Sequence, residues 1–137
     1  MRKLNSTAEF EAQRRRFLID NFRQVIARQS RIAVEKAFLQ TAAMPAPRFW
    51  VSEARAAAVV GKMMADEAYV EGMVEEKREM YREIYRRFSK IRRQCPEMTI
   101  SDIVFEVVNA PAPRSYISWQ RVRSIINKEK RMSRIKR

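Results

Sequence analysis

Apolar residues recur along most of this chain at the three- and four-residue spacing of an amphipathic helix. Phe10, Phe17, Leu18, Phe22, Val25 and Ile26 set the first stripe, running to about Gln29. Ser6, with Glu9 three residues on, has the form of a capping box at its start. Ser30 is placed to cap a second helix carrying Val34, Ala37, Phe38 and Thr41. Pro45 and Pro47 end it, because proline disfavours a helical residue before it and lacks an amide donor. Arg48 to Val51 should be extended. Ser52 then caps a third helix through Met64, with Ala56, Val59, Val60 and Met63 on its inner face.

The plan then starts again. After a connector from Ala65 to Glu75, a long helix from Glu76 to about Gln94 carries Met80, Tyr81, Ile84, Tyr85, Phe88 and Ile91 inside. Thr99 caps a short helix with Ile103, Val104, Val107 and Val108, which Pro111 and Pro113 break. Ser118 caps a last helix with Val122, Ile125, Ile126 and Met132 inward. Sliding the chain by 66 residues lays Pro45-Ala46-Pro47-Arg48 on Pro111-Ala112-Pro113-Arg114 without a gap. The same shift lays Trp50 on Tyr116, Ser52 on Ser118, Arg55 on Arg121, Phe22 on Phe88 and Val59-Val60 on Ile125-Ile126. An all-α fold of about six helices is expected: two tandem three-helix units packed as one pseudo-symmetric domain. The units are residues 1–64 and 81–137, with an acidic connector and the start of the fourth helix at 65–80. Phe22, Phe38, Trp50, Val59, Phe88, Val104, Tyr116 and Ile125 should be buried.

Charge adds a partner to this picture. The chain carries +13, unevenly: 12 Lys/Arg against 5 Asp/Glu in residues 1–64, 2 against 6 in 65–80, and 15 against 5 in 81–137. Two basic units flanking an acidic connector attract polyanions, of which nucleic acid is the commonest inside cells. Arg14-Arg15-Arg16 spans about 200° of a helical wheel, so at least one of the three must lean toward the apolar side. Arg86, Arg87, Lys90, Arg92 and Arg93 form a second cluster on the fourth helix.

Composition narrows the chemistry. With two glycines, glycine-rich phosphate loops are excluded. No histidine and one cysteine, Cys95, remove His-based triads and the usual zinc and haem ligand sets. A lone thiol suits a reducing interior, so a cytoplasmic location is expected. No apolar run reaches the ~18 residues of a membrane span, and no secretory signal opens the sequence. The carboxylates Asp66, Glu67, Glu71, Glu75, Glu76 and Glu79 crowd the connector, where they favour the N-terminus of the fourth helix. No enzyme activity, cofactor or metal is expected.

The remaining candidate is the short helix, proline turn and capped helix in each unit. It resembles, in its order of elements, the helix-turn-helix class of DNA-binding proteins, over residues 99–131 and less well over 33–64. The connection from Asn109 to Ile117 is longer than the usual turn and holds two prolines. The chain as a whole is also similar in character to small basic bacterial or phage proteins. The resemblance implies that the last helix enters a groove with its N-terminal side chains toward base edges. Gln120, Arg121, Arg123, Ser124, Asn127 and Lys128 lie away from its apolar stripe, and Gln, Arg and Asn have the donor and acceptor patterns that read adenine and guanine. Ser118 caps the helix beside free amides, and Arg131 and Arg134 extend the surface along the backbone. Arg114, like Arg48, is either a phosphate contact or a cap on helix carbonyls. Trp119 either packs between the units or stacks on a base. Positions of the first unit that match this helix read Glu53-Ala54-Arg55-Ala56-Ala57-Ala58, a nearly bare face suited to close helix packing. The expected function is non-enzymatic nucleic-acid binding, DNA ahead of RNA. The alternatives are a structural or interaction protein, such as a virion or nucleoprotein component meeting an acidic partner protein, and an RNA- or ribosome-associated protein. Oligomeric state is not legible in the sequence.

Overall fold

The computed structural model describes residues 7–29 and 31–135. The fold is all-α. Helices α1 (Thr7–Arg28), α2 (Val34–Ala43) and α3 (Glu53–Ala65) are followed by a 3-10 helix (Glu67–Gly72), then α4 (Glu75–Gln94), α5 (Ile100–Val108) and α6 (Trp119–Ile135). The 3-10 helix is unexpected from the hydropathy pattern. Asp66 starts it by accepting from the Ala68 amide at 3.1 Å, and Val70, fully buried, pins it to the core.

Caps explain most starts. The hydroxyls of Ser52, Thr99 and Ser118 accept from the amides of Arg55, Asp102 and Arg121, three residues on in each case. α2 departs from expectation: Ala33 occupies its N-cap with no side-chain bond, and Ser30, expected as its cap, lies outside the described residues. Ser6 lies outside the described residues. Met132, expected inward, is 44% exposed.

The helices pack in two groups that do not follow chain order. α3 packs on α4, α5 and the 3-10 helix, whereas α6 packs on α2 and α1. The larger core joins Val59, Val60 and Met63 of α3 to Ile84 and Phe88 of α4 and Ile103, Val104 and Val107 of α5. The smaller joins Leu18, Phe38 and Ala42 to Ile117, Val122, Ile125 and Ile126. Phe17 touches both.

Between the groups, the two proline segments cross. Ala46 and Ala112 exchange both backbone bonds, at 3.0 and 2.9 Å, in an isolated antiparallel bridge. On either side the Phe49 amide donates to the Val108 carbonyl and the Ser115 amide to the Ala42 carbonyl. Ala46 and Ala112 are 66 residues apart, as are Phe49 and Ser115, and Ala42 and Val108. Tyr116 follows with φ 53°, the left-handed region that a bulky side chain seldom enters. Its ring stacks on Phe49 at 5.9 Å. Of the eight residues expected inside, Phe38, Trp50, Val59, Phe88, Val104 and Ile125 are buried, while Phe22 and Tyr116 are half-buried.

Candidate nucleic-acid interface

α6 is held by its apolar stripe and presents everything else. Val122, Ile125 and Ile126 are buried against α1 and α2, a 3.6-residue periodicity that turns the opposite face to solvent. Gln120, Ser124, Asn127 and Arg131, spaced by four, three and four residues, form the crown of that face and are all exposed. Arg121 and Lys128 lie on one shoulder and Arg123 on the other, also exposed. Arg134 falls within α6, but its side chain lies outside the described residues.

Local contacts order parts of this surface. Arg123 stacks over the Trp119 ring at 5.1 Å, and Trp119 is half-buried against the smaller core. Its ring is therefore a packing surface that positions an arginine. The Ser124 hydroxyl donates to the Gln120 carbonyl at 3.1 Å, one turn back. Lys130, at the edge of the buried stripe, places its ammonium 5.7 Å from the centre of the Phe22 ring. Among the described residues none of the cations of α6 forms an ion pair.

The basic cluster on α4 behaves differently. Glu83 binds both Arg86 and Arg87, and these bonds hold its carboxyl below the usual carboxylate range. Arg87 also donates to the Pro111 carbonyl at 2.8 Å and lies 4.9 Å above the Phe49 ring. Arg82 is paired with Glu71. Much of the charge of α4 is thus spent on holding the larger group together.

Arg114 is not brought to α6. It is half-buried, faces Glu79 at 3.5 Å and lies 5.6 Å from the Tyr116 ring centre. Arg48 is buried and donates to the carbonyls of Phe49 and Val51 at 2.9 and 2.8 Å, fastening the extended segment rather than a helix end. Of the other connector carboxylates, Asp66 is a cap. Among the described residues, no three acidic or cysteine side chains gather as a metal set, and no helix is long and apolar enough to cross a membrane.

Two further features bear on groove docking. α5 and α6, the pair that a helix-turn-helix would join, are not packing partners; α2 supports α6 instead. The nine-residue connection from Asn109 to Ile117, pinned at Ala112 and Ser115, carries the chain across to the other helix group. Arg14 is the second. It is the member of Arg14-Arg15-Arg16 that leans inward, part-buried, 5.8 Å from the Phe10 ring centre, while Arg15 and Arg16 are exposed. Burial, then the nearby charge of Arg121, lowers its pKa. The sequence held the signal: under the 66-residue shift Arg14 falls on Met80, an inner position.

Comparison of the chain with family models, curated proteins and solved structures returned no match.

Proposed function

We propose that this is a nucleic-acid-binding protein that docks α6 on duplex DNA. The observation that carries the reading is the composition of the exposed face of α6: an uncharged polar crown tipped by Arg131, flanked by cations that form no ion pair among the described residues. A helix of about 10–12 Å diameter fits the ~12 Å major groove. Gln120 and Asn127 have the paired donor and acceptor that adenine presents, and Arg131 suits guanine; each good pair discriminates by about 1–3 kcal/mol. Arg123, Lys128 and the C-terminal turns supply phosphate contacts, which position the helix without reading sequence.

The reading includes the repeat. α1–α3 and α4–α6 are two copies about an approximate twofold at the Ala46–Ala112 bridge, with their third helices exchanged. The reciprocal backbone bonds, each joining positions that swap roles under the 66-residue shift, support this. On that mapping the crown of α6 corresponds to Ala54, Ala58, Gly61 and Ala65 of α3. Reading is therefore assigned to one helix only, and the expected site is a single half-site rather than a palindrome.

A gel-shift series over salt, with duplex DNA, single-stranded RNA and an acidic protein as competitors, tests the function. Duplex preference with a steep salt dependence is expected. The variant Arg121→Ala, Arg123→Ala, Asn127→Ala, Lys128→Ala should keep its circular dichroism and lose that binding. A folded variant with unchanged affinity and salt slope rejects the site. The bare stripe of α3 favours a second reading, an interaction protein that packs a partner helix there, and that outcome would transfer the assignment to it.

A further inference from the structure

We infer that the phosphate-contact surface continues from α6 onto α1, where Arg15 and Arg23 hold the backbone of the same duplex, and that the basic cluster of α4 takes no part. The inference rests on the proposed docking of α6 and extends it to a second helix.

Packing sorts the charge. Helices α1, α2 and α6 carry 12 Lys/Arg against 5 Asp/Glu, while α3, the 3-10 helix, α4 and α5 carry 10 against 9. Among the described residues no helix of one group packs on a helix of the other. Surface charges are screened beyond about 8 Å at physiological salt, so a polyanion responds to the sum over one packed group. α4 is itself strongly basic, but the 3-10 helix and α5, both packed on it, are acidic. The ion pairs among the described residues fall on Arg82, Arg86, Arg87 and Arg114, and none lies on α1 or α6.

The place on α1 follows from how that helix is buried. Ile19 and Phe22 lie half-buried against the smaller core, to which α6 gives Val122, Ile125 and Ile126. Arg15 and Arg23 stand one turn before and one turn after Ile19, so both edge that seam, and both are exposed. From α6, the exposed Lys130 reaches the same seam, its ammonium 5.7 Å from the centre of the Phe22 ring. Three cations therefore border it. Eight residues of helix rise about 12 Å. That is the length of about three to four nucleotides of one strand at about 3.4 Å each, so Arg15 and Arg23 meet different phosphates.

The test uses the full chain, short duplexes of differing sequence, and anisotropy titrations across a potassium chloride series. Two variants lose the same charge from exposed helix positions: Arg15→Gln with Arg23→Gln on α1, and Lys90→Gln with Arg93→Gln on α4. The α1 variant should bind every duplex more weakly by a similar factor, with its salt slope reduced by about two. The α4 variant should keep the parent's affinity and slope. Parent behaviour in the α1 variant would overturn the inference. Equal losses in both variants would also overturn it, since total charge rather than contact would then be acting. Should the α1 variant melt lower than the parent, arginine modification by phenylglyoxal decides on the parent itself. Bound duplex should protect Arg15 and Arg23 and leave Arg93 reactive; unprotected α1 arginines would overturn the surface. Against the quadruple α6 variant, the failures separate. Loss in the α6 variant alone keeps the docking and removes the α1 surface. Loss in the α1 variant alone removes the docking of α6 and leaves α1 as the contact. A parent that binds no duplex removes both.

Discussion

Arg48 and Arg114 occupy matching places in the repeated Pro-Ala-Pro-Arg, and their surroundings set them apart. Arg48 is 6% exposed, and two carbonyls of its own extended segment depend on it. Arg114 meets Glu79 in a pair whose side chains are 42% and 41% exposed. Removing a donor from a buried acceptor costs about 1–3 kcal/mol for each group left bare, whereas an exposed pair contributes about 0–1 kcal/mol. Arg48→Ala should therefore lower the urea midpoint clearly and Arg114→Ala barely. Equal losses would show that the two arginines share one structural role. Nothing in the sequence distinguishes these residues, because their partners, the Phe10 ring beside Arg48 and Glu79 beside Arg114, come from helices distant in the chain. Arg14 is the opposite case. Its inward lean follows from three arginines sharing one turn, although its place over the Phe10 ring required the fold.

At the scale of the element, local chemistry was largely legible. Ser52, Thr99 and Ser118 cap as their spacing indicates, and the prolines end α2 and α5 where expected. The 3-10 helix escaped because six residues carry too little periodicity, and its anchor is a single valine. α4 carries a consequence for acid stability. Bonds from Arg86 first, then Arg87, favour the ionised form of Glu83, so its folded pKa lies below the unfolded one. A depressed carboxyl contributes stability that is fully present above the unfolded value, about 4.3, and is lost as pH falls through the folded value. Glu83→Gln removes that contribution. Its urea midpoint should fall less steeply than the parent's as pH drops below about 4.3, with lower stability at neutral pH. Parallel pH profiles for the two proteins would show that the Glu83 cluster is energetically idle.

For the whole molecule, the sequence predicts six helices and a 66-residue offset, but not which helix packs on which. Apolar stripes state that a helix has a partner and leave the partner open, and a proline-rich segment can fold back or cross over. Here both cross over, so α3 completes the group of α4 and α5, and α6 completes that of α1 and α2. Cutting the chain between the 3-10 helix and α4 separates each third helix from its core. The fragment 1–74 would leave Val59, Val60 and Met63 without α4 and α5, and the fragment 75–137 would leave Val122, Ile125 and Ile126 without α1 and α2. Each such side chain contributes about 1.5–3 kcal/mol when buried, against a total stability of about 5–15 kcal/mol for a domain. Neither fragment should melt cooperatively alone. Mixed in equal amounts, they should recover the helical signal and one cooperative transition whose midpoint rises with concentration, as expected when folding requires association. A fragment 75–137 that folds fully by itself would mean that α6 packs back on its own half, and would undo the exchanged packing.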